Sequence, residues 1–147
     1  MSHHSRTQQI FATAVLVTVA DQLTKAVAGA LRAGAILPVH NPDYSLGLVS
    51  GATPVLVLGS LVGLVAFGAH VVRRSAHGLL APWVCGLLIG GALSNVADRV
   101  VLGAVRDFLA TPWIVFNLAD VAVLVGIGAY LLARLRPPVA AFAGGGD

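Results

Sequence analysis

Residues 54–72 read PVLVLGSLVGLVAFGAHVV, a run of helical length without a single formal charge. A bilayer core about 30 Å thick is crossed by about 20 apolar helical residues, so this stretch reads as a membrane span. Working outward, three more stretches qualify: about 10–31, 79–101 and 112–135. Only a few polar residues interrupt them: Asp21, Gln22 and Lys25 in the first, Asn95, Asp98 and Arg99 late in the third, Asn117 and Asp120 early in the fourth. Strands are disfavoured, because an open sheet edge in lipid leaves backbone groups unpaired and these runs do not alternate. The expected fold is an all-α membrane protein of four transmembrane helices, one domain over residues 1–136. Residues 137–147, rich in Ala, Gly and Pro, read as a disordered tail.

Composition supports lipid as the solvent. Of 147 residues, 57% are hydrophobic and 10% charged, against roughly 25% charged in ordinary soluble domains. A small soluble domain has a large surface for its volume and needs polar side chains to cover it. A mean hydropathy of +0.88 excludes that class. A single cysteine, Cys85, excludes a disulfide scaffold. The net charge of +3 comes from dispersed or paired basic residues rather than a phosphate-binding patch, so nucleic acid is not an expected partner. Met1–Gln9 carries only Arg6, and no small-residue cleavage site follows a compact apolar region, so the first span reads as a retained helix.

With four spans, both termini share a side with the connection between spans two and three. That side holds Arg6, Arg73, Arg74, Arg134 and Arg136, whereas the opposite loops hold Arg32 and Arg106. The bias predicts cytoplasmic termini. The connection 33–53 is long and punctuated by Pro38, Pro42, Gly47 and Gly51, and it predicts a small extended, β-like platform on the outer face.

Ionisable groups at membrane depth cost at least about 2.5–3.5 kcal/mol each on insertion scales, so each needs a partner or a purpose. On this topology Asp21, Lys25, Asn41, Asn95, Asp98, Arg99, Asp107, Asn117 and Asp120 all fall on the outer side. One outward-facing polar cluster is the main expectation. Asp21 and Lys25 are spaced i,i+4, and Asn95, Asp98 and Arg99 share one helical face. The pairs Asp21–Lys25 and Asp98–Arg99 read as structural ion pairs at helix ends rather than as chemistry. Asp107 and Asp120 have no basic partner at helical spacing. Two neighbouring carboxylates in a low-dielectric site share a proton, and such a pair can activate water and protonate a leaving amine. Ion or proton transport through membrane carboxylates is the competing reading, and spacing alone leaves both open.

Other chemistry is weakly supported. There is no H-E-x-x-H, which excludes a zinc-dependent intramembrane protease, and no Ser–His pairing at membrane depth. His70 and His77 flank the inner connection, and Cys85 reads as packing. Gly59–Gly63 and Gly86–Gly90 have small-xxx-small spacing that favours close helix contacts. Trp83, Trp113 and Tyr44 suit interfacial positions.

Four elements resemble the bacterial lipoprotein signal peptidase (signal peptidase II) family. Asp21-Gln22-Leu23-Thr24-Lys25 resembles its D-x-x-x-K element, and Gly90–Arg99 is similar to G-G-A-x-G-N-x-x-D-R. Val105-Arg106-Asp107-Phe108 resembles V-V-D-F, and Phe116-Asn117-Leu118-Ala119-Asp120 matches F-N-x-A-D. They occur in the family's order and cover nearly everything but the tail. The resemblance implies a membrane aspartic endopeptidase of the bacterial inner membrane, active near the outer leaflet. Its substrates would be diacylglyceryl-modified prolipoproteins, cut just before the lipidated cysteine, with membrane lipids around a monomeric chain. It implies Asp107 and Asp120 as the dyad and requires no metal or organic cofactor. Asn95, Asp98, Arg99 and Asn117 would support the dyad and the substrate backbone, and Asp21, Lys25 and Asn41 would hold the outer platform. Three departures stand out. Asn41–Leu46 keeps only Asn41 of N-x-G-A-A-F, Ser94 replaces a Gly, and Arg106 replaces a Val. The rival readings are a paralogue that binds lipoprotein or an inhibitor without cleaving, and a small carboxylate transporter.

Overall fold

The computed structural model describes residues 3–31, 39–41 and 53–135. Among them, helix α1 spans His3–Leu31, α2 Thr53–Ala76, α3 Pro82–Leu102 and α4 Leu118–Leu135. All four are long and apolar enough to cross a membrane. The short strands are β1 (Val39–Asn41), β2 (Val105–Asp107), β3 (Leu109–Ala110) and β4 (Val115–Phe116). The expected disordered tail and the Pro42–Leu46 part of the divergent segment lie outside the described residues.

Helix boundaries follow local chemistry. The α2–α3 turn is a left-handed helix stop at Gly78 (φ 73°). There Leu79 N–H donates to Arg74 O and Gly78 N–H to Ser75 O, both at 2.9 Å, closing orphan carbonyls at a residue with no Cβ to clash. Pro82 then opens α3 at a position where its missing N–H costs nothing. The fourth helix starts later than the expected residue 112. Residues around Pro112 instead form the β3–β4 hairpin turn, where Thr111 N–H donates to Ile114 O at 2.8 Å. Helix α4 begins only after Asn117, which can cap it (below).

Helix α3 is central, packed against α1, α2 and α4. Its glycines permit this. A Cβ on Gly90 would lie 2.6 Å from Ala14 O of α1, and one on Gly91 2.6 Å from Ala119 O of α4. Gly86 makes a similarly close approach to Thr13. The expectation for Gly59 and Gly63 is corrected: nothing lies within 4 Å of a Cβ built there, so these positions do not bring helices together. The apolar core of Val71, Leu80, Val84, Cys85 and Leu88 occupies the half of the bundle nearer the termini, with the Cys85 thiol donating to Val71 O at 3.2 Å. Leu16, Leu58, Val65, Val101 and Leu124 are exposed on the outside, as a lipid-facing surface requires.

The expected β-like element in the α1–α2 connection is present as β1, and its partner comes from a second connection. β1, from the α1–α2 connection, pairs antiparallel with β2 from the α3–α4 connection, in register Val39 with Asp107, His40 with Arg106 and Asn41 with Val105. A three-residue strand is not stable alone; β2 follows directly on the left-handed stop at Gly103 (φ 76°) that ends α3. Asn41 contributes its backbone here, opposite Val105.

The glycine contacts give a direct expectation. Gly91→Ala must push α4 from α3 and should cost about 1–3 kcal/mol through overpacking. Gly63→Ala should leave the unfolding midpoint unchanged or slightly higher. Thermal unfolding of both variants in the same detergent checks this.

Candidate active site

The site begins with a buried cation. Lys25 of α1 is almost wholly enclosed. Its Nζ lies 2.6 Å from Asp21 Oδ2 and 3.1 Å from Asp98 Oδ2, and it donates to Asn95 Oδ1 at 3.0 Å. An ammonium group has three N–H donors, and each finds an acceptor here. The remaining lone pairs are also used. Asp21 accepts from Ser94 Oγ at 2.7 Å and from Ala119 N–H at 2.9 Å, so one α1 carboxylate also caps the first turn of α4, where the helix dipole favours negative charge. Asp98 accepts from Gln22 Nε2 at 2.9 Å and from Arg106 Nη2 at 2.7 Å.

Asp21–Lys25 is therefore the structural ion pair that its spacing predicts. Asp98–Arg99 is not. Adjacent residues on a helix face different ways, so Asp98 turns to Lys25 and Arg106. Arg99 turns its Nη1 to Asn95 O at 3.4 Å and lines the cavity described below.

Asn117 and Asp120 form a capping box at the start of α4. Asp120 N–H donates to Asn117 Oδ1 at 2.9 Å, and Asn117 N–H donates to Asp120 Oδ2 at 3.1 Å. The Asn-x-x-Asp spacing thus satisfies two orphan donors reciprocally. Because Asn117 Oδ1 is taken by a backbone N–H, its Nδ2 must point the other way, donating to Asp107 Oδ1 at 2.7 Å and to Asn95 Oδ1 at 3.1 Å. The same logic orients Asn95. Lys25 can only donate, so Asn95 Oδ1 faces it and Asn95 Nδ2 donates to Asp120 Oδ1 at 2.8 Å. Hydrogen-bond logic fixes both orientations.

Asp107, buried on β2, and Asp120, half-buried on α4, are thereby linked through two carboxamides. Both line one cavity of about 710 Å³ that also exposes Asn95 and Arg99. The rest of its wall is mainly apolar, including Phe67 of α2, Leu88 of α3, and Leu124 and Ile127 of α4. Two carboxyl groups at one end of an apolar cavity can act on a polar bond attached to an apolar substrate. Among the described residues, no three His, Cys, Asp or Glu side chains converge to hold a metal ion.

The structure thus brings together eight of the nine residues singled out from sequence, with Asn41 entering through its strand backbone. Gln22 was not among them, though it contacts Ser94, Asp98 and Arg106. A signal existed: Thr18, Asp21, Gln22 and Lys25 form a polar stripe at helical spacing inside an apolar span, and Thr18 also bonds α3 at Gly90 O.

Comparison with known proteins points to one family. The profile of the family described as Signal peptidase (SPase) II matches residues 13–136. The chain is 35% identical over 144 residues to a lipoprotein signal peptidase of Leifsonia xyli subsp. xyli, covering 84% of the chain and 65% of that protein. It is 42% identical over 88 residues to one of Methylorubrum extorquens, covering 56% of the chain and 50% of the relative. A third, from Syntrophotalea carbinolica, is 31% identical over 142 residues, covering 84% of the chain and 88% of the relative. Among solved structures, one of a bacterial membrane enzyme superposes with a TM-score of 0.75 at 25% identity, covering 86% of this chain and 87% of that one.

The buried ammonium sets an expected stability effect. Lys25→Met leaves two buried carboxylates short of a cation and should destabilise the fold by about 3–5 kcal/mol. Lys25→Met combined with Asp98→Asn should recover part of the loss. Unfolding midpoints of the single and double variants in detergent are the check.

Proposed function

The chain belongs to the signal peptidase II family, and from that premise we propose that it is a membrane aspartic endopeptidase with Asp107 and Asp120 as its dyad. Its substrates are diacylglyceryl-modified prolipoproteins, cut on the N-terminal side of the lipidated cysteine. The observation that carries the reading is the pair of carboxamides, Asn95 and Asn117, that join the two carboxyl groups at one cavity wall.

The chemistry follows from two nearby carboxyl groups sharing one proton. The ionised carboxylate takes a proton from water as that water attacks the scissile carbonyl, while the protonated carboxyl gives its proton to the developing oxyanion. Collapse of the tetrahedral intermediate then moves a proton to the leaving amine and breaks the C–N bond. Asn95 and Asn117 hold the carboxyl groups in register. Arg99, which lines the cavity, engages the substrate backbone in this reading. Asp21, Lys25 and Asp98 fix Asn95 and the start of α4 from behind. Asn41 supports the strand carrying Asp107 through β1–β2 pairing. The apolar part of the cavity suits acyl chains, so a substrate's lipid can remain at bilayer depth while its peptide reaches the dyad.

Orientation belongs to the same reading. Arg6, Arg73, Arg74 and Arg134 lie at the helix ends away from the dyad, which favours cytoplasmic termini and an active site near the outer leaflet of a bacterial inner membrane. One chain supplies every group of the site, so a monomer suffices. The apolar core between the dyad and the other end of the bundle speaks against a transport path.

Purified protein given lipidated prolipoprotein should cleave it, and Asp107→Asn or Asp120→Asn should each lower the rate by about 10²-fold or more, consistent with loss of an acid–base group. Cleavage at the original rate by either variant overturns the dyad. Binding without cleavage by the unaltered chain would favour a binding-only paralogue.

A further inference from the structure

We propose that Arg106, held by Asp98 and Gln22 and backed by Ser94, is a positioning residue that clamps the β2 strand and so sets the placement of Asp107. The proposal rests on Asp107 belonging to the dyad.

Strand β2 is three residues long and, among the described residues, has one strand neighbour, β1. Such an element has little stability of its own, yet it must hold a reacting carboxyl group to a fraction of an ångström. Alternation along the strand turns Asp107 and Arg106 to opposite sides. Asp107 meets Asn117 at 2.7 Å. Arg106 meets Asp98 of α3 three times: its backbone N–H donates to Oδ2 at 3.1 Å, its Nε to Oδ2 at 3.3 Å and its Nη2 to Oδ1 at 2.7 Å. One carboxylate thus grips both the main chain and the side chain of the residue preceding Asp107. The forked guanidinium contact fixes direction as well as distance, which a single point charge would not do.

Gln22 of α1 completes the grip. Its Oε1 accepts from Arg106 Nη2 at 2.5 Å, and its Nε2 donates to Asp98 Oδ1 at 2.9 Å. Ser94 holds Gln22 in that orientation, accepting from the same Nε2 on its Oγ at 2.9 Å while donating to Asp21. Ser94 and Arg106 are two of the positions at which this chain departs from the family pattern, and the structure ties them together through one glutamine. Charge gives a second reason. Asp21 and Asp98 carry two negative charges against the single positive charge of Lys25, and Arg106 brings the buried group to neutrality. An uncompensated charge there would be costly.

Four variants of the full chain in detergent, assayed on lipidated prolipoprotein with amide hydrogen exchange followed over residues 105–107, test the clamp. Arg106→Met should lower kcat by about 10²-fold, the scale of an ångström-level misplacement, with KM within about twofold, the split expected when only the reacting geometry is disturbed. Gln22→Leu, which leaves every ion pair intact, should lower kcat by about tenfold and guards against a folding defect in the first variant. Arg106→Lys, retaining the charge and one donor, should recover at least about tenfold over Arg106→Met. The Gln22→Leu/Arg106→Met double variant should be no slower than Arg106→Met alone, because the two residues act as one unit. Exchange at residues 105–107 should quicken in each weakened variant. Unchanged kcat in Arg106→Met and Gln22→Leu, or unchanged exchange at β2, overturns the clamp. Asp107→Asn run alongside separates the two readings: if it still cleaves, the dyad assignment fails, and the exchange data alone decide whether Arg106 anchors the strand.

Discussion

A single buried ammonium group organises the polar end of this membrane protein. Lys25 cannot shed its hydration inside a bundle unless all three of its N–H donors are met, and the acceptors that meet them come from α1 and α3. Each acceptor then has obligations elsewhere. Asp21 caps α4, Asp98 grips β2, and Asn95 is forced to present its amide nitrogen to Asp120. The orientation of the amide that meets Asp120 is thus decided by a cation on its other side. This gives the site stiffness of a kind that apolar packing in lipid supplies poorly, since lipid chains are as apolar as the side chains they would replace.

The second organising device is the start of α4. Any helix beginning inside a bundle has backbone N–H groups that must find acceptors. Here Asn117, Asp120 and Asp21 supply them. Asp120 is therefore held to its helix by the same bond that caps the helix, and Asn117 reaches from the cap to Asp107 on a separate strand. A capping motif and a pair of converging carboxyl groups are one structure. The close approach of α3 to α4 at Gly91 is what brings the cap within reach of Asn95.

The division of the bundle into two halves explains how scarce charge is used. Near the termini, the interior is apolar, with Val71, Leu80, Val84, Cys85 and Leu88 filling it. At the other end, buried Asp, Lys, Asn and Ser side chains satisfy one another beside an otherwise apolar cavity. A site built this way keeps its polar groups at one depth, against an apolar wall.

The sequence by itself determined the solvent, the helices and the gathering of polar residues at one end. Hydropathy over some twenty residues reports lipid directly, and once four spans alternate, each polar residue falls on a definite side. Spacing also found Asp21–Lys25, because i,i+4 partners meet on any helix. It could not choose the partner of Asp98: an adjacent Arg99 looks available in sequence, yet the helix turns it away and supplies Lys25 and Arg106 from other elements. Nor could it pair β1 with β2, mark Gln22 as a shared ligand of three residues, or tell the contacting glycines at 86, 90 and 91 from the open ones at 59 and 63. Those outcomes depend on which helix faces which, and on the demand that every buried donor and acceptor be met. Only the assembled bundle, where distant residues compete for the same few oxygens, resolves that demand.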